Sequence, residues 1–123
     1  MAIVRYLVHD VDAAVEFYAL LGFALEARWG PPFAIVKRAD LQLWLSGPGT
    51  SASRPLQDGS RPAPGGWNRL VVECTELPQV MAVLRAAGVR FRSEPITGPG
   101  GTQLVVDDPS GNAVELFQPG AAR

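Results

Sequence analysis

The chain is poor in cysteine. With a single thiol, Cys74, it can form no internal disulfide and no cysteine-rich zinc site. It is also poor in net charge. Its 11 basic and 12 acidic side chains leave −1 near neutral pH, and no basic run gives nucleic acid a local footing. Long apolar runs are missing too, so nothing approaches the roughly 20 residues of a membrane span. The opening MAIVRYLVHD brings in a charge after four residues and lacks the apolar segment of a signal peptide. The cytoplasm is therefore the expected location, and neither nucleic acid nor membrane is an expected partner.

What is present fits one soluble globular domain of 123 residues, 47% apolar and 19% charged, large enough for a real core. Ala2–Val8 alternates as a first strand. Asp10 or Asp12 can cap a helix whose apolar stripe is Ala14, Val15, Phe17, Tyr18 and Leu21, with Gly22 as its stop. Phe23–Trp29 reads as a strand broken by Pro31-Pro32. Phe33–Lys37 and Leu41–Leu45 form a hairpin around Arg38–Asp40.

From Ser46 to Gly66 the composition changes: Gly, Pro and Ser fill 13 of 21 positions, too many for a helix or central strand. A plain linker and a lid over a pocket are both open readings. Trp67–Cys74 then reads as a strand, and Glu76–Ala87 as a helix on Leu77, Val80, Met81 and Leu84, stopped by Gly88. Val89–Arg92 reads as a strand and Glu94–Gly101 as a turn-rich connection. The run Gly98–Gly101 lacks the Lys-Ser/Thr and following helix of a phosphate loop. Arg85, Arg90, Arg92 and Glu94 read as a solvated rim.

The last stretch, Thr102–Pro119, reads as two strands joined by Asp108-Pro109-Ser110-Gly111, in which Asp accepts backbone hydrogen bonds and Pro presets φ. On the second strand Ala113, Glu115 and Phe117 share one face. A lone carboxylate in a short apolar strand needs a reason, and what Glu115 faces is the question on which function turns.

Strand, helix and three strands thus occur twice. Asp10 to Gly22 and Glu76 to Gly88 are both 12 apart, so the halves superpose with a shift of 66, rising to about 71 in the later hairpins. The expected architecture is α+β: two βαβββ modules, residues 1–45 and 67–119, joined by the 46–66 loop in a single domain. Their paired curved sheets would surround a cleft.

This layout, with VHDVDAAVEFYALLGF near the start and DDPSGNAVELFQP near the end, resembles the vicinal oxygen chelate superfamily across essentially the whole chain. That group includes glyoxalase I, extradiol dioxygenases and the fosfomycin- and bleomycin-resistance proteins. The resemblance implies homodimers and, in the metalloenzymes, a divalent ion in the cleft. A His or Gln from the first strand of each module and a carboxylate from the last hold that ion. Here those positions fall on Ile3, Trp44, Arg69 and Glu115. Isoleucine donates nothing and arginine repels a cation, so the expectation is no metal and no other cofactor. Glu115 should pair with Arg69 instead. His9, at a strand end, can titrate near neutral pH but has no positioned partner in the sequence.

If the family geometry holds, Ile3, Arg5, Leu7, Gln42 and Trp44 face the cleft from the first module. Trp67, Arg69, Val71, Glu73, Ala113, Glu115 and Phe117 face it from the second. Trp29 and Phe33 stand near the proline break. Core packing and ligand stacking are alternative readings of the three tryptophans; Cys74 faces the core. The leading function is a metal-free small-molecule binder of the bleomycin-resistance type. It would hold a flat or aromatic ligand on Trp44, Trp67, Arg69, Glu115, Phe117, Gln42, Arg5, Trp29 and Phe33. The alternatives are a glyoxalase-like lyase or isomerase, or a dioxygenase-related enzyme, with Glu115 as the candidate base, or a structural interaction module.

Overall fold

Residues 1–120 are described here from a computed structural model of the chain. They form two compact units. The first comprises Met1–Gly65 with Pro109–Gly111, and the second Gly66–Asp108 with the residues from Asn112 onward.

The first unit carries β1 (Ala2–Leu7), α1 (Val11–Leu20), β2 (Ala24–Trp29), β3 (Phe33–Arg38) and β4 (Leu41–Ser46), with sheet order β1-β4-β3-β2. Of the two capping candidates, Asp10 serves: its side chain accepts the Ala13 N–H at 3.2 Å, while Asp12 pairs with Arg28 at 2.8 Å. Gly22 ends the helix at φ 88°, a left-handed value that costs glycine little. Val11, Ala14, Phe17 and Tyr18 are buried, and Tyr18 meets Phe17 and Phe23 edge-on. The sheet's other contribution to this core is Ala34, Val36, Leu43 and Leu45.

The second unit repeats the plan with β5 (Leu70–Glu73), α2 (Leu77–Ala86), β6 (Ile96–Gly98), β7 (Gly101–Asp107) and β8 (Ala113–Pro119), in order β5-β8-β7-β6. Leu70, Val72, Leu104, Val106, Val114 and Leu116 are buried, as are Leu77 and Leu84 of α2. Glu76 offers no side-chain cap; instead the Leu77 N–H donates to Oε1 of Gln118 at 2.7 Å. The β7–β8 turn is tied as its composition predicts. The Asp108 carboxylate accepts the Asn112 N–H at 2.9 Å, and the Asp108 N–H reaches the Asn112 carbonyl at 2.8 Å.

In each sheet the first strand lies parallel to the last. Arg5 pairs with Trp44 in one and Val71 with Glu115 in the other, so Trp44 and Glu115 occupy equivalent places. The two-module α+β fold is the expected one.

Three local readings need correction. The strand expected over Trp67–Cys74 begins only at Leu70, opposite Val114; its neighbour β8 begins one residue earlier, at Ala113, and offers Trp67 and Asn68 nothing to pair with. Val89–Arg92 makes a single bridge, Phe91 to Val106, since the next rung is taken by the Ser93 hydroxyl, which accepts the Val105 N–H. The edge strand is instead β6, inside the stretch expected to be a turn-rich connection.

The 46–66 loop starts in order. The Gly47 N–H donates to the Pro32 carbonyl at 2.8 Å, and Thr50 and Ser53 fold back over a 3-10 turn, Ser51–Ser53. Further on, Ser60 donates its hydroxyl and its N–H to Asp58, which holds that exposed carboxyl below its usual range. A Cβ at Gly47 would stand 2.9 Å from Cγ2 of Val11 and 3.2 Å from the Pro32 carbonyl oxygen. Val11 is buried and cannot retreat. Gly47→Ala should therefore lower stability by about 1–3 kcal/mol, read as a fall in the urea midpoint with an unchanged slope.

Candidate functional site

The face of the first sheet opposite α1 gathers most of the aromatic side chains singled out in the sequence. Trp29 and Phe33 are paired across β2 and β3, and their rings stack at 5.5 Å and 12°. Arg28 braces the turn between them, donating to the Gly30 and Pro31 carbonyls at 2.9 and 3.1 Å. Phe33 meets Trp44 edge-on at 6.0 Å, and the Arg5 guanidinium lies over Trp44 at 5.1 Å. Arg5 is held there by the buried Ser46 hydroxyl, which it reaches at 2.9 Å. The Trp44 indole N–H donates to Oε1 of Gln42 at 3.1 Å, and the Gln42 amide donates to Glu26 at 3.1 Å. Trp29 remains 62% exposed, so a row of rings from Trp44 through Phe33 ends in an open aromatic surface.

The second sheet holds the pair expected from the sequence. Arg69 reaches Oε1 of Glu115 through Nε and through its terminal nitrogen, both at 3.0 Å. Glu115 is 8% exposed, and a carboxylate so placed needs this neutralisation. Val71, on β5 beside it, is exposed, and Phe117 is half-buried.

Other site residues lie elsewhere than expected. Trp67 precedes the strand and is 69% exposed; Arg92 stacks over its ring at 4.6 Å and donates to the Gly66 carbonyl at 2.8 Å. Arg92 is accordingly no solvated rim residue. It forms a close ion pair with the buried Asp107, which Arg90 also approaches at 3.7 Å. Cys74 is half-buried rather than core. His9 is exposed and lines a shallow hollow of about 420 Å³ with Asp10, Asp12, Arg28 and three prolines. Sequence reading missed Glu26, Ser46 and Asp107. Ser46 was the one within reach, since it continues the alternation of Gln42 and Trp44.

The donor set at the family's metal positions does not fit a divalent ion. Ile3 offers no lone pair, Trp44 presents an indole whose N–H is spent on Gln42, and Arg69 puts a fixed cation against the one carboxylate, Glu115. Among the described residues no three His, Cys, Asp or Glu side chains converge.

Comparison with known proteins places the chain. Residues 1–116 match the family model of the Glyoxalase/Bleomycin resistance protein/Dioxygenase superfamily, and the protein belongs to that superfamily. Among solved structures it is similar to TnmS3, an antibiotic binding protein from Streptomyces sp. CB03234. The identity is 28% and the TM-score 0.71, over 96% of this chain and 93% of that one. A glyoxalase/bleomycin resistance protein/dioxygenase from Nocardioides shows 26% identity and a TM-score of 0.73, over 99% and 84%. Lactoylglutathione lyase from Agrobacterium tumefaciens shares the fold at 20% identity and a TM-score of 0.74, over 96% and 92%. No curated protein matches the sequence.

Arg69→Met strands the Glu115 carboxylate. It should cost about 2–3 kcal/mol, less than breaking a fully buried pair because Arg69 keeps part of its contact with solvent. Adding Glu115→Leu should recover most of that loss in urea unfolding, and a double variant no better than Arg69→Met would show that the pair is not what is being lost.

Proposed function

We propose that the protein is a metal-free small-molecule binder that holds a flat aromatic ligand against the first sheet. The observation that carries this reading is the open ring of Trp29, backed by Phe33 and continued by Trp44 and Arg5. A ring stacked on Phe33 is held flat and in place, so a ligand pays little to order it. The similarity to an antibiotic binding protein supports an antibiotic-like small molecule as the ligand, and the open ring of Trp29 favours one with a flat aromatic part. On this reading the Arg69–Glu115 pair is a structural neutralisation and holds no ion.

The competing reading is an enzyme, a glyoxalase-type lyase or isomerase or a relative of the dioxygenases, with Glu115 as its base. Arg69 already occupies that carboxylate, which counts against it. A homodimer, carried over from the family resemblance, and a cytoplasmic location, expected from the sequence composition, complete the proposal; light scattering of the purified protein checks the dimer.

Titration calorimetry against two- and three-ring planar aromatics should find binders, and Trp29→Ala should weaken them about five- to tenfold. A panel in which nothing binds, or in which Trp29→Ala changes nothing, overturns the reading. Elemental analysis of protein purified without chelator should give zinc, nickel, manganese and iron each well below one per chain. A stoichiometric metal would move the assignment to the enzyme.

A further inference from the structure

Glu26 and Trp29 are three residues apart on β2, and in an unbroken strand that odd spacing sends two side chains to opposite faces. Both nevertheless reach the aromatic face: Glu26 accepts from Gln42, and Trp29 stacks on Phe33. The cause is a bulge. Leu25 pairs with Val36 and Ala27 with Ile35, so Glu26 is an extra residue and the alternation restarts after it. The irregularity brings a carboxylate and an open ring to one surface, about 10 Å apart along the strand.

The polar atoms of that surface are nearly all spent. The indole N–H of Trp44 is taken by Gln42, whose amide is fixed because its oxygen accepts from Trp44 and its nitrogen donates to Glu26. Arg5 is turned onto Ser46 and the Trp44 ring. Glu26 uses Oε2 on Gln42, and its Oε1 makes no hydrogen bond or ion pair among the described residues. Lys37 stands opposite Gln42 on β3 and forms no ion pair with Glu26 among those residues.

Resting on the aromatic-site reading above, we propose that Glu26 reads a hydrogen-bond donor on the ligand. The ligand class is a planar ring system of two or three rings carrying a hydroxyl or amine. Its apolar end lies on Trp29 and its donor reaches the free Glu26 oxygen. Through Gln42, the same carboxylate holds the Trp44 indole so that its N–H is withheld from the ligand.

The test uses three probes of one shape: 2-hydroxyfluorene, its methyl ether 2-methoxyfluorene, and fluorene-2-carboxylate. The native protein should bind the hydroxyl compound about tenfold more tightly than the ether, the scale of a hydrogen bond to a charged group. Glu26→Ala should bring that ratio close to one. Glu26→Gln keeps an uncharged acceptor and should leave a preference of about two- to threefold, with the tryptophan emission maximum unchanged, which keeps the test alive if the alanine variant unfolds. Trp29→Ala should weaken both neutral probes equally. A ratio unaltered by either Glu26 variant overturns the proposal, as does tightest binding of the carboxylate, which would make Arg5 or Lys37 the reader. Equal binding of hydroxyl and ether by the native protein removes this inference alone; failure of all three probes to bind removes the aromatic-site reading with it.

Discussion

Each module lays its first strand parallel to its last, and that pairing determines which side chains can act together. A parallel ladder has no slack in phase once one face is buried, since a slip of one residue would turn every core side chain outward. Leu43 and Leu45 in the first sheet, and Leu70, Val72, Val114 and Leu116 in the second, fix the phase through burial on the helix side. The opposite faces follow without choice. Arg5 must lie beside Trp44, and Val71 beside Glu115. The chemistry of each face is therefore set by what stands at a few determined places.

The two modules use those places differently. In the first, Trp44 is fitted with a cation over its ring and an amide on its nitrogen, and the aromatic row extends outward to Trp29. In the second, the equivalent place holds a carboxylate, and the fold neutralises it with the nearest cation. Asp107 follows the same rule with Arg92 and Arg90, and Arg92 goes on to cover Trp67. The second sheet balances its charges internally, while the first leaves a ring open.

The modular plan was legible because its signals are periodic and local: helix stripes, glycine stops, and an Asp-Pro-Ser-Gly turn whose hydrogen bonds can be named in advance. The equivalence of Trp44 with Glu115 and the pairing of Glu115 with Arg69 came from the family resemblance laid over the internal repeat, which together carry long-range information that a single strand's periodicity lacks. What escaped has physical causes. Trp67 shares the alternation of Arg69 and Val71, but a strand ends where its neighbour ends, and the neighbour lies more than forty residues away in sequence. Arg92 looked solvated because its partner, Asp107, is reached only through the Phe91–Val106 bridge. Glu26 was hidden by the bulge, since period-two reading assigns it the face opposite Trp29.

That bulge also bears on how such a surface is gained or lost over time. Substitution alters a site one side chain at a time, whereas the placing of a carboxylate beside the aromatic row of the first sheet hangs on the count of residues in one edge strand. Loss of the single codon between Leu25 and Ala27 would restore a regular ladder and remove the Glu26 carboxylate from the aromatic face, with Trp29 still opposite Phe33 and α1, β3 and β4 untouched. Edge strands tolerate such length changes because only one neighbour has to adjust. Two descendants of this chain that differ by that one residue would share a fold and an aromatic row, and would differ in the polar group beside it.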